Sequence, residues 1–463
     1  MQNILTQRLF LVLLFIIGIV LTIYAFNKQT SIYPYDVKHD YDYEFNESSA
    51  TVTNLDITNS QIKLLNYALR EGQSVFLKVN VSSTIMGKYF QPSINIVSEN
   101  LSFTQYFEHG AEGVRYLNLS SFPFKDTGNI RFEGNYISIK DQSAQLISFK
   151  NIDTKTKKIL FIAPHPDDAE IASFGFYSDN KESYIITITA GEAGGYKYSN
   201  VYADDVKHYL KKGELRTWNS LTVPQLGGIS PEHTLNLGFF DSTLAKMFRD
   251  QGKVFGGVKT GTFDINTYRQ QNFSQLSRSL SGVSNWVSLV ENLSDLLKEI
   301  SPDIIVTPHP VLDAHPDHQF STIALLQAIK KSGVQTEYLY LYTNHFVLNE
   351  YYPYGETGGV ISLPPNFSEQ IHFDRIYSHA LSIDKQKDKV FSLEGMSDLR
   401  PSTEWRFLKG TIKMSLRKVR DYFLKKETNY FDRAVRSNEL FYVVNVKSIY
   451  KENVLGALIN TSQ

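Results

Sequence analysis

The sequence predicts an α/β protein: a mostly parallel sheet with helices on both faces, preceded by an N-terminal transmembrane helix and an antiparallel β-sandwich. Three observations lead there. From residue 157 onward, apolar runs such as KKILFIA (157–163), SYIITITA (183–190) and DIIVTP (303–308) alternate with amphipathic stretches such as WVSLVENLSDLLKEI (286–300). That is the pattern of strands buried on both faces by crossover helices. From 74 to 151, short runs of alternating apolar and polar residues are punctuated by Gly, Asn, Pro and Asp, as in sandwich strands. Residues 9–26, LFLVLLFIIGIVLTIYAF, carry no charge.

This last run has about 18 residues, close to the minimum that spans a hydrocarbon core. Arg8 precedes it and Lys28 follows, so residues 1–8 are expected inside and the body extracytoplasmic, on a modest charge bias. A cleavable signal peptide competes. Ala25 is the one small residue near a cut, Ile23 stands where a second is preferred, and an uncleaved single-pass anchor is the expectation. Residues 27–55 are polar and Tyr-rich, lack a period, and read as a linker. The sandwich is expected over 56–151, with strands in 74–83, 92–98, 114–120, 129–140 and 144–151. Its Tyr89, Phe90, Tyr106, Phe107 and Tyr116 read first as core packing and second as platforms for sugar rings.

The α/β unit is expected over 157–449, with helices over 206–221, 286–300 and 321–331 and late strands over 337–345 and 439–446. Residues 246–284, rich in Gly, Ser and Gln, form an insertion that reads first as a lid over a site and second as a passive surface insertion. The basic segment 409–426 carries Ile412, Leu416, Val419 and Phe423 at helical spacing. It reads first as a peripheral helix packed on the sheet, and second as an attachment to an anionic leaflet.

Composition narrows the chemistry. A formal net charge of -1 over 463 residues provides no global field for a polyanion, so nucleic acid is not an expected partner. The chain has no Cys; disulfides are excluded, and any metal site is limited to His and carboxylate ligands.

Two such ligand-rich loops exist. HPDDAE (165–170) follows the strand at 157–163, and HPDH (315–318) follows the strand at 303–308. In open α/β sheets ligands collect at the carboxyl ends of strands, so both loops are expected on one sheet edge. Either alone has a bland use: HPDD as a helix N-cap, HPDH as a surface turn. Together they supply His165, Asp168 and His318 to one cation, the three-ligand arrangement of a catalytic Zn2+, although Fe2+ or Co2+ also fits N and O donors. Asp167 is the candidate general base, with Glu170 next in line. His315, protonated, is the candidate acid, its imidazolium held by Asp313 or Asp317. His309, His345 and His379 read as structural residues or as supports behind the ligands.

These residues resemble the paired signatures of the PIG-L/LmbE family of zinc-dependent N-acetylglucosaminyl deacetylases. The resemblance covers 157–345, including KKGEL through LGFFDS (211–242), and leaves out the sandwich. It implies a Rossmann-like fold, His165, Asp168 and His318 as zinc ligands, Asp167 as general base and His315 as acid or electrostatic partner. It further implies substrate contacts from Lys211 or Arg216, the family's Arg/Glu pattern being matched only in part, and from Asp241. The expected function is thus a membrane-anchored N-deacetylase acting on N-acetylated amino sugars of an extracytoplasmic glycan or lipid-linked saccharide. The alternative is a catalytically inactive glycan-binding membrane protein, against which the presence of all five polar residues argues. A metallophosphatase lacks its second set of carboxylates.

Overall fold

The computed structural model describes residues 11–18, 20, 33–45, 49–64, 72–98, 101–122, 128–195, 197–198, 201–366, 373–400, 430–451 and 456. Nine strands come first: β1 (Ala50–Asp56), β2 (Gln61–Lys63), β3 (Gln73–Ser83), β4 (Ser93–Val97), β5 (Ser102–Tyr106), β6 (Glu112–Asn118), β7 (Asn129–Asn135), β8 (Ile137–Ile139) and β9 (Ser143–Lys150). They form two antiparallel sheets, β1-β9-β3-β6 with β8 on β3, and β2-β7-β4-β5. Val75, Leu77, Val79 and Val81 alternate along β3 and pack against Ile94, Ile96, Ile130 and Phe132 of the other sheet, as the two-residue period requires. The opposite face of the first sheet is buried too. Phe76, Tyr116, Ile147 and Phe149 belong to the core of the following α/β body.

Residues 33–45, expected as linker, are instead packed at this junction. Tyr41 and Tyr43 are 3% and 6% exposed, the Arg115 guanidinium lies 4.0 Å over the Tyr41 ring, and Tyr43 Oη donates to Pro364 O at 2.6 Å. These aromatics show no period because they fill an irregular groove one at a time, and the expected linker also runs into β1. Of the sandwich aromatics, Phe107 and Tyr116 are core. Tyr106 is wedged against Gly355, whose φ of +81° and lack of a Cβ admit the ring. Phe90 is exposed and stacks on Tyr136 at 5.3 Å.

The α/β body runs β10 (Ile159–Ala163), α1 (Asp168–Ser178), β11 (Ser183–Thr189), α2 (Asp205–Thr222), β12 (Thr234–Phe239), α3 (Leu244–Arg249), α4 (Asn266–Arg269), α5 (Trp286–Ile300), β13 (Ile304–Pro308), α6 (Pro316–Ser332), β14 (Tyr338–Tyr342), β15 (Arg375–Ala380), α7 (Ile383–Gly395), α8 (Tyr430–Ala434), β16 (Asn438–Asn445) and α9 (Val446–Lys451). The sheet order is β12-β11-β10-β13-β14-β16-β15. The first five strands are parallel; β16 is antiparallel to β14 and β15, which makes the sheet mixed. Leu160 and Ile162 of β10 face Leu289, Leu293 and Leu325 on one side, while Ile159 and Phe161 face Phe174 and Phe176 on the other. Helices therefore cover both faces.

The expected lid contributes to the body. Met247, Ile265 and Tyr268 are buried, and the Tyr268 ring lies where a Cβ on Gly213 would sit, at 2.5 Å. The glycine of KKGEL thus lets the insertion close on α2. Gly257, also in the insertion, approaches the Glu192 carboxylate. The basic segment 409–426 lies outside the described residues. Of the apolar run 9–26, residues 11–18 and 20 are described and helical; among the described residues no helix is long and apolar enough to cross a membrane.

One buried ion pair shapes the helix that leads from the first motif. At Ser173 the backbone of α1 leaves helical geometry (φ -147°, ψ 21°). The N–H groups of Gly175 and Phe176 turn to Glu439 of β16, donating to Oε1 and Oε2 at 2.9 Å each. Lys389 of α7 neutralises that carboxylate at 2.7 Å, with both side chains almost wholly buried (1% and 2% exposed). Removing one member of such a pair leaves the other charge unpaired. Lys389→Met should therefore destabilise the protein by about 3 kcal/mol, and Lys389→Met with Glu439→Gln should recover part of it; denaturant midpoints measure both, and an unchanged midpoint in the single variant would refute the role.

Candidate metal centre

β10 pairs with β13 in parallel, Ile159 with Ile304 through Phe161 with Val306. The sheet order reverses here, since β11 and β12 lie to one side of β10 and β13 and β14 to the other. The loops leaving two such neighbours open a crevice between them. HPDD leaves β10 and HPDH leaves β13, so the switch point brings the two motifs together.

Three donor atoms meet at their junction. His165 Nδ1 lies 3.1 Å from Asp168 Oδ2 and 3.2 Å from His318 Nε2, and His318 Nε2 lies 3.1 Å from Asp168 Oδ2. An ion with tetrahedral bonds of 2.0–2.1 Å has edges of about 3.3 Å between its ligands. The triangle thus has the size of one face of such a coordination shell, and its donors are those that divalent zinc accepts. Two other groupings, His165 with His315 and His318, and His165 with Asp241 and Asp317, bring ligand atoms within 4.8 Å of one another. Both reuse His165, and the first triangle is the tighter.

Each imidazole is backed by a carboxylate on its far nitrogen. His318 Nδ1 is 3.0 Å from Asp313 Oδ2, in a contact bent away from hydrogen-bond linearity. His165 Nε2 faces Asp317 Oδ2 at 3.4 Å and Asp241 Oδ1 at 3.5 Å. Such partners set tautomer and ring orientation, and they are themselves fixed. Asp313 Oδ2 accepts from Asn344 N at 2.9 Å and His345 N at 3.2 Å. Asp317 accepts from Ser242 N at 2.6 Å and Leu244 N at 3.2 Å. Ser242 adopts φ +64°, unusual for a residue with a side chain, and so presents its N–H to Asp317. Asn344, on the loop after β14, donates to Asp168 Oδ1 at 2.8 Å.

Electrostatics agree with this geometry. Burial would raise the Asp168 carboxyl, yet His318 and His165 hold it well below the usual range. Burial also opposes charge on His318, but Asp168 and Asp313 push it up to about 10. The carboxylates call for positive charge at the centre of the triangle.

Asp167 occupies the helix N-cap position without capping any backbone N–H. Its Oδ1 accepts from Arg216 Nη2 at 2.9 Å, and burial, opposed by Arg216, raises its pKa. His315 differs from expectation. Neither Asp313 nor Asp317 holds its ring, because both serve the other two imidazoles. Its Nδ1 instead accepts from Asp317 N at 3.3 Å, as the cap of α6. Burial and the neighbouring His165 and His318 push it down to about 4, so His315 is a neutral imidazole with its proton on Nε2.

The remaining expected residues separate. Arg216 and Asp241 belong to the site. Lys211 does not: it pairs with Glu214 at 2.5 Å on the exposed face of α2. His309 is structural, its Nδ1 accepting from Val311 N and Leu312 N, and His379 pairs with Asp179. His345 stands beside the ligands, its ring 5.3 Å from that of His318. Sequence reasoning missed Glu192, which accepts from Asp241 N at 3.1 Å, and Asn344; both follow strands of the same sheet, and the rule that found the two motifs would have reached them. It also missed Asp398, which accepts from Arg216 Nη1 at 2.6 Å, with Lys212, the second lysine of KKGEL, and Lys197 beside it; Asp398 and Lys197 carry no motif.

Residues 160–329 match the family model described as GlcNAc-PI de-N-acetylase, PIG-L. No curated protein matches the chain. Among solved structures, N,N'-diacetylchitobiose deacetylase from Pyrococcus horikoshii is similar at 15% identity, over 65% of this chain and 88% of its own, with a TM-score of 0.34. A teicoplanin deacetylase in a zinc-inhibited form matches at 15% identity over 62% and 98%, with a TM-score of 0.32. A 4-carboxy-2-hydroxymuconate hydratase from Pseudomonas putida matches at 13% identity over 63% and 96%, with a TM-score of 0.31.

Two predictions come from the site's surroundings. Asp313→Asn should weaken divalent-metal binding by about 10–100-fold, measured by competition with a chelator; an unchanged affinity would free His318 from its partner. The second concerns Glu170, 1% exposed and accepting from Tyr177 Oη at 3.3 Å. Burial raises its carboxyl from 4.5 to about 8. A raised folded-state pKa stabilises fully below the unfolded value, and that stability is lost as pH rises through the folded one. Glu170→Gln should therefore raise Tm more at pH 8 than at pH 5, by on the order of 5–10 °C. Equal shifts at both values would show that Glu170 is already ionised in the fold.

Proposed function

From the PIG-L domain that occupies residues 160–329, we propose that this protein is a metal-dependent N-deacetylase that removes acetyl from N-acetylated amino sugars of the GlcNAc type. The observation that carries the reading is the triangle of His165 Nδ1, Asp168 Oδ2 and His318 Nε2, 3.1–3.2 Å on each edge, with the Asp167 carboxylate on the adjoining residue. These three residues would hold zinc, and Fe2+ or Co2+ suits the same donors. When bound, the ion supplies Lewis acidity towards the amide carbonyl.

The chain's own groups do the rest. Asp167 takes a proton from the attacking water and returns it to the departing amine nitrogen, so the C–N bond breaks with acetate and free amine as products. Burial, which raises its pKa, suits a group that must hold that proton between the two steps. Arg216 orients the Asp167 carboxylate and keeps it available as a base. His315, neutral and protonated on Nε2, donates a hydrogen bond to the oxygen on which negative charge develops; the acid role foreseen for a charged His315 passes to Asp167. Asp241, between Ser242 and His165, is the proposed contact for a sugar hydroxyl.

The apolar run 9–26 supports placing this activity on a membrane, with residues 1–8 inside and the catalytic body extracytoplasmic, facing a glycan or lipid-linked saccharide.

The test is acetate release from a panel of N-acetylated saccharides by the full chain in washed membranes, with and without chelator. Activity should vanish with chelator and return with zinc. Asp167→Asn should bind metal normally and lose about 100-fold or more in turnover. Acetate release from none of the panel by metal-loaded protein would sink the proposal, and full activity in Asp167→Asn would assign the base elsewhere.

A further inference from the structure

Two aliphatic side chains stand exposed on one turn of the β-sandwich. Between β3 and β4 the chain forms a single 3₁₀ turn, Ile85–Lys88, on which Ile85 is 76% and Met86 46% exposed. The stretch TIMGKYF (84–90) contains no acid, and its one charge, Lys88, is exposed as well. Hydrogen bonds hold the turn firmly. Thr84 N donates to Tyr136 O at 2.8 Å, Gly87 N to Thr84 O at 2.9 Å and Gly110 N to Gly87 O at 2.9 Å. A Cβ on Gly87 would stand 2.5 Å from Tyr136 O, so glycine is what lets the turn close on its neighbour. These peptide groups are already paired, and leaving water does not strand them.

The turn lies beside the place where the chain arrives from its apolar run. Tyr33 Oη meets His109 Nδ1 at 3.0 Å and accepts from His109 N at 3.1 Å. Gly110, the next residue, donates to Gly87 O, and a Cβ there would touch Lys88 Cγ at 3.5 Å and Val37 Cγ2 at 3.8 Å. Adjacent residues thus tie Tyr33 and the turn together. Residues 27–32 separate Tyr33 from the end of the apolar run at Phe26, and that length of chain reaches at most about 25 Å. Tyr33 also packs on the cluster of Phe346, Tyr352 and Tyr354, in the loop that carries His345 beside the metal ligands. Chain entry, exposed turn and catalytic body are therefore joined at one junction.

We infer that Ile85 and Met86 form a docking surface for the interface of a lipid bilayer, which they enter next to the chain's own apolar run. This inference rests on the proposed membrane placement, which supplies the nearness. A tether so short makes the second contact intramolecular, so a small apolar surface is enough. Other occupants fit less well. A second copy of the chain would need about 800 Å² on each side, more than one turn offers, and Ile85 and Met86 lack the flat face on which sugar rings stack. Lys88, on the same turn, suits anionic head groups.

The chain has no Cys, so one introduced thiol carries a fluorophore at one known place. In the full chain, reconstituted in vesicles of phosphatidylcholine and phosphatidylglycerol with nitroxide-labelled lipids, a label on Lys88→Cys should be strongly quenched. A label on Val52→Cys should not be. Val52 shares a row with Ile147 and Phe76, and Phe76 is seven residues of β3 from Ser83, or about 23 Å. Ile85→Ser with Met86→Ser should lower the ratio of quenched to unquenched Lys88→Cys label about tenfold. Ile85→Leu with Met86→Leu keeps the apolar surface and should preserve the ratio. Both positions are exposed, so neither pair threatens the fold. A label on Ile16→Cys, in the apolar run, separates the two readings. Quenching at Ile16 with Lys88 no more quenched than Val52, or a serine pair quenched like the wild type, overturns this inference and leaves the anchor standing. Quenching at Lys88 without quenching at Ile16 sinks the anchored placement and leaves the docking surface. Quenching at neither overturns both.

Discussion

Parallel pairing between β10 and β13 is the constraint on which the rest of the centre depends. It sets two strand ends side by side although the chain spends about 140 residues between them, and a register of Ile159 with Ile304 brings the HPDD and HPDH loops to the same height. Apolar residues enforce this pairing. Ile159, Leu160 and Phe161 on one strand and Ile304, Ile305 and Val306 on the other are all buried, since both faces of the sheet are covered. Because side chains alternate along a strand, a slip of one residue would exchange the two cores. Metal-ligand geometry at the rim is thus inherited from hydrophobic burial beneath it.

Charge in the site is organised in two shells. Nearest the centre are His165, Asp168 and His318; behind them, Asp313, Asp317 and Asp241 are held by backbone N–H groups and by Ser242 Oγ. Backbone donors cannot rotate away, which makes them suitable anchors for side chains that orient the imidazoles. On the other side of Asp167 the sign reverses, with Arg216, Lys212 and Lys197. The base therefore lies on a boundary between an anionic shell suited to a cation and a group of cations gathered around Asp398.

Much of this was legible in the sequence, for a stated reason. Continuous apolar runs followed by His and Asp clusters mark strand ends of a buried sheet, and they located His165, Asp167, Asp168, His315 and His318. Spacing was silent about which acid serves which imidazole. Asp317 stands next to His318 in sequence, yet the helix start turns it towards His165, while Asp313 reaches His318 from the loop before. Lys211 was misplaced because a position on a helix does not reveal its face: Arg216, five residues on, points inward and Lys211 outward. Asp398 and the packed Tyr41 and Tyr43 were invisible for another reason, since contacts made by irregular segments follow no period.

The β-sandwich participates in the same mechanical chain. Its first sheet shares a core with the α/β body through Phe76, Tyr116, Ile147 and Phe149, and polar contacts lock the junction: Ser378 N donates to Ser74 Oγ at 2.9 Å, and Asn118 Nδ2 donates to Ile361 O at 2.8 Å. Ser378 lies on β15, whose partner β16 carries Glu439. Glu439 in turn takes the two N–H groups freed at the bend of α1, and α1 begins at Asp168. A continuous path of close contacts therefore runs from the sandwich, through the antiparallel edge of the sheet, to the carboxylate at the centre of the donor triangle. β15 sits against the sandwich, and β16 beside it braces the helix that supplies the ligand.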